Sequence, residues 1–205
     1  MIASPASLDH LLLLETPAPA CPHLGLEAEK IRAAQAGDMA AFGWLVRQHE
    51  ERLLGFCCRW LHCAEDAREV CQDAFVRAWQ ALPEFEGRCR LSTWLYQIAL
   101  NLCRDRAKTR AARQRASTVA LQDVPSPPEC PKQGPDTTAE WQSELEKLHR
   151  GLAQLPEKDR AALVLSSMEG LSHEECAQIL GGSARAIEGR IYRARQTLMR
   201  WWEEE

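Results

Sequence analysis

The chain has 205 residues, 45% of them hydrophobic, which is enough to bury the core of one domain or of two small ones. No apolar run approaches a membrane span, the longest early one being Leu11 to Leu14, and the N-terminus lacks the basic segment of a secretion signal, so a cytoplasmic protein without membrane insertion is expected. The formal net charge of −4 hides two basic clusters: Arg104, Arg106, Lys108, Arg110, Arg113 and Arg115 meet only Asp105, and Arg185, Arg190, Arg193, Arg195 and Arg200 meet only Glu188, a pattern suited to nucleic acid bound weakly alone and strongly in company.

Residues 1–26 carry Pro5, Pro17, Pro19 and Pro22 among small residues and read as a loose extension or an over-long start. From Glu27 the pattern turns helical. Asp38 is placed to cap a helix in which Phe42, Leu45, Val46, Leu53, Leu54, Cys57, Cys58 and Leu61 recur at core spacing. A helix from Glu65 to Leu82 follows, burying Ala67, Val70, Cys71, Ala74, Phe75 and Ala78 and presenting Glu69, Gln72, Asp73 and Arg77 on its other face. After Pro83 a loop runs from Glu84 to Leu91, and Ser92 can cap a long helix with Leu95, Ile98, Ala99 and Leu102 inward, ending in the first basic cluster. Five prolines, Pro125, Pro127, Pro128, Pro131 and Pro135, mark residues 114–140 as a linker. Helices resume at about Trp141, with Pro156 at a helix start and Gly170 closing a helix from Glu157 to Glu169. No strand-like alternation of useful length and no repeat occurs, so the expected architecture is all-α: two small helical domains, 27–113 and 141–205, on a tether.

The stretch from Leu171 to Arg195 reads as a helix-turn-helix. Ser172 and Glu175 have the spacing of a capping box, Leu171 and Cys176 that of a hydrophobic staple, Gly181 and Gly182 stop the first helix, and Ser183 caps the second. In that second helix Ile187, Ile191, Ala194 and Leu198 share one face, leaving Arg185, Glu188, Gly189, Tyr192, Arg193 and Gln196 outward, as in a major-groove reader. A helical hairpin with a solvated basic face is the bland alternative.

Nine cysteines (Cys21, Cys57, Cys58, Cys63, Cys71, Cys89, Cys103, Cys130 and Cys176), with no CxxC or HxxxC spacing, argue against a disulfide framework or a zinc site. Most read as small buried hydrophobes in a reducing compartment, while a redox or metal role for Cys57, Cys58, His62 and Cys63 stays open. There is no phosphate loop, metal-spaced His pair or nucleophile with an evident base, so no enzyme, catalytic residue, metal or cofactor is expected.

Two motif sets carry a resemblance. Asp66-Ala-Arg-Glu69-Val-Cys-Gln72-Asp73-Ala-Phe75-Val-Arg77-Ala-Trp79, then Phe85-Glu-Gly87 and Ser92-Thr-Trp94-Leu95-Tyr96-Gln-Ile98-Ala99-Leu-Asn101, resembles region 2 of the extracytoplasmic-function group (ECF, group 4) of sigma-70 factors. Leu155-Pro156-Glu-Lys-Asp-Arg160, with Glu169-Gly170-Leu171-Ser172-His-Glu174-Glu175 and Arg190-Ile-Tyr-Arg193-Ala194-Arg195, resembles their region 4; regions 1.1 and 3 have no counterpart, as in that group. The chain departs from the family at Glu188 and Gly189, where a basic residue and Ser are common, and at Cys89-Arg90-Leu91, where an Ala-Ser-Phe type run is common, which leaves open the bases read.

The resemblance implies an alternative sigma factor that binds bacterial core RNA polymerase at the β′ clamp and β flap and directs promoter recognition, melting and initiation for a stress, metal or envelope regulon, under an anti-sigma factor. It assigns Asp66, Glu69, Gln72, Asp73 and Arg77 to polymerase docking. The minus-ten element falls to Phe85, Arg88, Arg90, Trp94, Asn101, Arg104 and Lys108, since unstacked bases need aromatic walls, hydrogen-bond partners and cations; Trp94 reads equally as core support. Ser183, Arg185, Glu188, Arg190, Tyr192 and Arg193 fall to the minus-thirty-five element, base readers and phosphate anchors not being separable. Competing readings are a stand-alone regulator that ignores polymerase and a sigma-like decoy that binds an anti-sigma protein but not DNA.

Overall fold

The computed structural model describes residues 24–61, 63–116 and 139–204. The expected extension before Leu24, linker residues 117–138 and His62 lie outside the described residues, as do Cys21, Cys130 and the side chains of Arg113 and Arg115. Every regular element among the described residues is helical, as the periodicity requires. They fall into two compact units, one from the described part of 23–137 and one from that of 138–205.

The first unit contains α1 (Leu24–Gln35), α2 (Met39–Leu61), α3 (Ala64–Ala81), a 3-10 turn (Leu82–Glu84) and α4 (Leu91–Ala116). Gly37, at φ +96°, turns the chain between α1 and α2 in a conformation costly for any residue with a Cβ. Asp38 caps α2 as expected, its Oδ1 accepting from Ala40 N at 2.8 Å and Ala41 N at 3.1 Å. α3 packs against both α2 and α4. Their shared core holds Leu45, Leu53, Phe56, Val70, Ala74, Leu95 and Leu100, with the Phe56 ring edge-on to Tyr96 at 5.3 Å.

Ser92 does not cap α4. The helix starts at Leu91, Trp94 N donates to Arg90 O at 3.1 Å, and Ser92 lies inside the first turn. Leu91 is buried, so docking it on the core brings the helical start ahead of the better capping side chain.

The second unit contains α5 (Ala139–Gln154), α6 (Glu157–Leu163), a π turn (Val164–Met168), α7 (His173–Leu180) and α8 (Ala184–Glu204). Pro156 stands immediately before α6 and its carbonyl accepts from Asp159 N and Arg160 N. The helix expected through Glu169 changes to π winding at Val164, where Ala161 to Leu165 are all buried and apolar periodicity no longer fixes the winding. Gly170, at φ +69°, then closes it, and Leu171 N reaches back to Leu165 O at 3.1 Å. α8 runs through the middle of the unit, contacting α5, α6 and α7 and burying Ile187, Ile191, Ala194, Leu198 and Trp202.

Candidate nucleic-acid interface

In the second unit the helix-turn-helix is built as its sequence dictates. Ser172 Oγ accepts from Glu175 N at 3.2 Å while Glu175 Oε2 accepts from Ser172 N at 2.9 Å, a complete capping box. Leu171 and Cys176 are both buried beneath it. Gly181 and Gly182 take φ +74° and +114°, and Ser183 Oγ accepts from Ala186 N at 3.2 Å, which starts α8. α8 therefore leaves a short turn with its apolar stripe on the core and Arg185, Glu188, Tyr192, Arg193 and Gln196 exposed. Ser183 is exposed at the turn.

Arg190 differs from its neighbours. It is half-buried, and its Nη1 is buried without a hydrogen-bond partner among the described residues. Arg193 reaches Asp159 of α6 at 3.4 Å, and Arg195 Nη2 donates to Ser167 Oγ at 3.2 Å. Tyr192 is the large aromatic most open to solvent on this helix, 66% exposed.

In the first unit the loop after the 3-10 turn presents Glu86, Gly87, Arg88 and Arg90 to solvent, with Arg88 paired to Glu86. Phe85 and Trp94 are both half-buried, their rings 4.8 Å apart and tilted by 35°. Trp94 thus shares the two characters its position allows, supported from inside by the unit and paired at its rim with Phe85. About two to four turns further along α4, Asn101 and Lys108 are exposed and Arg104 is half-buried. Aromatic rim, amide and cations stand on one loop and one helix, the inventory that an unstacked strand requires.

The outward face of α3 holds Glu69, Gln72, Asp73 and Arg77, all exposed, with Val76 between them, and Asp66 half-buried. Two arginines of α4 reach across to it. Arg106 meets Asp66 at 3.1 Å and Glu69 at 2.7 Å, and Arg110 stands 3.8 Å from Asp66. The Glu69 hydrogen bond, with Asp66 and Asp73 adding charge, raises the Arg106 pKa above its ordinary value. Part of the first basic cluster is therefore spent inside the unit, while Arg88 and Arg90 on the loop and Lys108 on α4 stay exposed.

The pairings Arg106 with Asp66 and Arg193 with Asp159 join residues 40 and 34 positions apart. Local spacing carries no trace of them. The same holds for Gln35, whose amide binds the carbonyls of Leu82 and Phe85. Among the described residues no group of three or more His, Cys, Asp or Glu could hold a metal ion, and no helix is long and apolar enough to cross a membrane. Cys57, Cys58, Cys71, Cys103 and Cys176 are buried thiols, not joined in disulfides; burial pushes those of Cys71 and Cys176 up to about 12.

Residues 45–113 match the family model for sigma-70 region 2, and residues 145–198 match that for sigma-70 region 4, together more than half of the chain. The chain is 33% identical over 185 residues to the RNA polymerase sigma-H factor of Pseudomonas aeruginosa, covering 84% of this chain and 91% of that protein. It is 37% identical over 174 residues to the RNA polymerase sigma factor NccH of Alcaligenes xylosoxydans xylosoxydans, again covering 84% and 91%. The ECF sigma factor SigM of Mycobacterium tuberculosis is 32% identical over 187 residues, covering 88% of this chain and 90% of SigM. Among solved structures, CnrH in complex with the cytosolic domain of CnrY matches with a TM-score of 0.67 and 30% identity, covering 87% of this chain and 98% of that one. The sigma factor RpoE of Bartonella quintana, solved with the anti-sigma factor NepR, has the same fold at a TM-score of 0.63 and 24% identity, covering 78% and 95%. By these matches, on the two helical units just described, the chain belongs to the sigma-70 family and is one of its ECF sigma factors.

Proposed function

We propose that this chain, a group 4 member, docks on core RNA polymerase in the cytoplasm through both units and directs promoter recognition, melting and initiation for a stress, metal or envelope regulon. The observation that carries the reading is the coincidence of two independent things. Each unit matches a different sigma-70 region, and each presents an outward polar face on a helix whose apolar stripe is buried. Asp66, Glu69, Gln72, Asp73 and Arg77 form the docking face for the β′ clamp, and 141–205 meets the β flap. Charged and amide groups on a rigid helix suit an interface in which orientation matters more than buried area. Phe85, Arg88, Arg90, Trp94, Asn101, Arg104 and Lys108 hold the melted minus-ten strand. Ser183, Arg185, Glu188, Arg190, Tyr192 and Arg193 serve the minus-thirty-five duplex, with the half-buried Arg190 supporting the others rather than reaching bases.

The partner CnrY, seen with the similar CnrH, is described by its cytosolic domain. By analogy this chain is held in check by the cytosolic part of a membrane-anchored anti-sigma protein, which covers the docking face and competes with polymerase.

A crossed pair of substitutions tests the two faces. Asp73→Arg reverses charge on the exposed face of α3 without touching its apolar stripe, so folding persists and core polymerase binding is lost. Arg193→Ala leaves core binding intact and weakens promoter binding, by about 1–3 kcal/mol if it reads a base, or with a salt slope lower by about one if it neutralises a phosphate. Native circular dichroism with that crossed pattern supports the assignment, and both variants failing at the same step contradicts it.

A further inference from the structure

Gln35 is the last residue of α1, ahead of the segment that matches region 2. Its Nε2 donates to Leu82 O at 3.1 Å and to Phe85 O at 2.7 Å, 47 and 50 residues away. Both partners are carbonyl oxygens, so the amide must present its NH2 and uses both protons there. Leu82 O also accepts from Phe85 N at 3.0 Å, closing the 3-10 turn from which the loop departs. The ring of Phe85 then stands against Trp94 at 4.8 Å. At the other end of α1 Glu27 is held 2.9 Å from His49 of α2, and Arg90 of the loop adds to the field at Glu27. α1 is thus anchored at its start and grips the loop at its end.

We propose that Gln35 is a positioning residue for promoter melting, its amide fixing the turn that presents Phe85 to Trp94 and so setting the aromatic wall on which an unstacked minus-ten base rests. This deepens the reading of the Phe85 to Trp94 loop given above and rests on it. The physical reason is economy of freedom. A half-exposed aromatic pair at the mouth of a loop containing Gly87 at φ +71° stacks a base well only if the loop does not wander, and two hydrogen bonds from a packed helix remove that wandering. Gln35 touches no base itself. Its effect passes through Phe85.

The experiment uses the full chain bound to core polymerase and a fluorescent single-stranded oligonucleotide spanning the melted region of a promoter mapped by run-off transcription. Gln35→Leu keeps the approximate volume and deletes both donors; Gln35→Asn, whose amide is too short to reach both carbonyls, carries the same expectation if the Leu variant folds poorly. Phe85→Ala should weaken oligonucleotide binding about tenfold, the effect of losing one stacking wall. Gln35→Leu should weaken it severalfold with affinity for core polymerase unchanged. The double variant should bind no worse than Phe85→Ala alone, since Gln35 has nothing left to position. Full binding by Gln35→Leu and Gln35→Asn while Phe85→Ala binds poorly would overturn the positioning role alone. So would multiplied losses in the double variant. An undiminished Phe85→Ala would remove the loop from the minus-ten site and the proposal with it.

Discussion

Arg193 sits 3.4 Å from Asp159, with the arginine side chain 62% exposed and the aspartate 15%. An ion pair with one partner so open is worth under about 1 kcal/mol, so a promoter phosphate or base edge can take the guanidinium at little cost. Until then Asp159 limits the directions in which Arg193 points. The cysteines show the opposite case, side chains whose setting removes their chemistry. The thiols of Cys71 and Cys176, pushed up to about 12 by burial and, secondarily, by Cys57 and Glu50 in one case and Glu175 in the other, stay protonated at pH 8. Maleimide labelling of the native protein at pH 8, mapped by peptide mass spectrometry, should therefore reach the half-buried Cys63 and Cys89 well before Cys71 and Cys176, which become reactive only on denaturation. Rapid native labelling of Cys71 or Cys176 would show an opening of the core that this packing excludes. Burial of Cys57 and Cys71 is legible from their three-and-four spacing on apolar stripes, and that of Cys176 from its staple position opposite Leu171. The tethering of Arg106 and Arg193 is not, because a long-range ion pair leaves no mark within one helical turn of sequence.

At the scale of elements, what could be read locally was read correctly: Asp38, Ser172, Glu175, Gly181 and Ser183 act through neighbours two to four residues away, and their spacing alone defines the cap. Ser92 is not the cap expected of it, and the helix from Glu157 changes to π winding at Val164–Met168, because tertiary burial decides both, of Leu91 in one case and of the whole run Ala161 to Leu165 in the other. Gly151 of α5 is a further element-level constraint that pattern does not reveal. A Cβ there would stand 2.6 Å from Leu198 Cδ1 and 2.8 Å from Trp201 Cε3, so α5 crosses α8 at a distance only glycine permits. Leu198 is fully buried and cannot swing aside. Gly151→Ala should lose about 1–3 kcal/mol through overpacking, outweighing the gain in helix propensity, and lower the Tm of the second unit. Thermal denaturation by circular dichroism reads this directly, and an unchanged or raised Tm would mean that α5 can move away from α8.

For the whole molecule the decisive feature is the contrast between an acidic total and basic faces. A net charge of −4 repels a polyanion at long range, and within the first unit Arg106 and Arg110 are already engaged by Asp66 and Glu69. Among the described residues the exposed cations on the proposed DNA faces are Arg88, Arg90 and Lys108 in the first unit and Arg185, Arg193 and Arg195 in the second, and affinity for DNA rises with the number of phosphates neutralised, so neither face should hold a promoter by itself. Under the proposed function core polymerase joins both units on one platform, where two weak sites act at high effective concentration. The all-helical class and the two sigma regions were legible because each rests on dense local motifs. Run-off transcription of genomic DNA fragments by core polymerase with and without the chain, with start sites mapped and promoter binding measured in parallel at physiological salt, tests this dependence most directly. Discrete new start sites are expected only when both components are present, with the isolated chain binding the same promoter duplexes far more weakly than the holoenzyme. An absence of new starts, or promoter binding by the isolated chain as tight as by the holoenzyme, would contradict initiation through core polymerase.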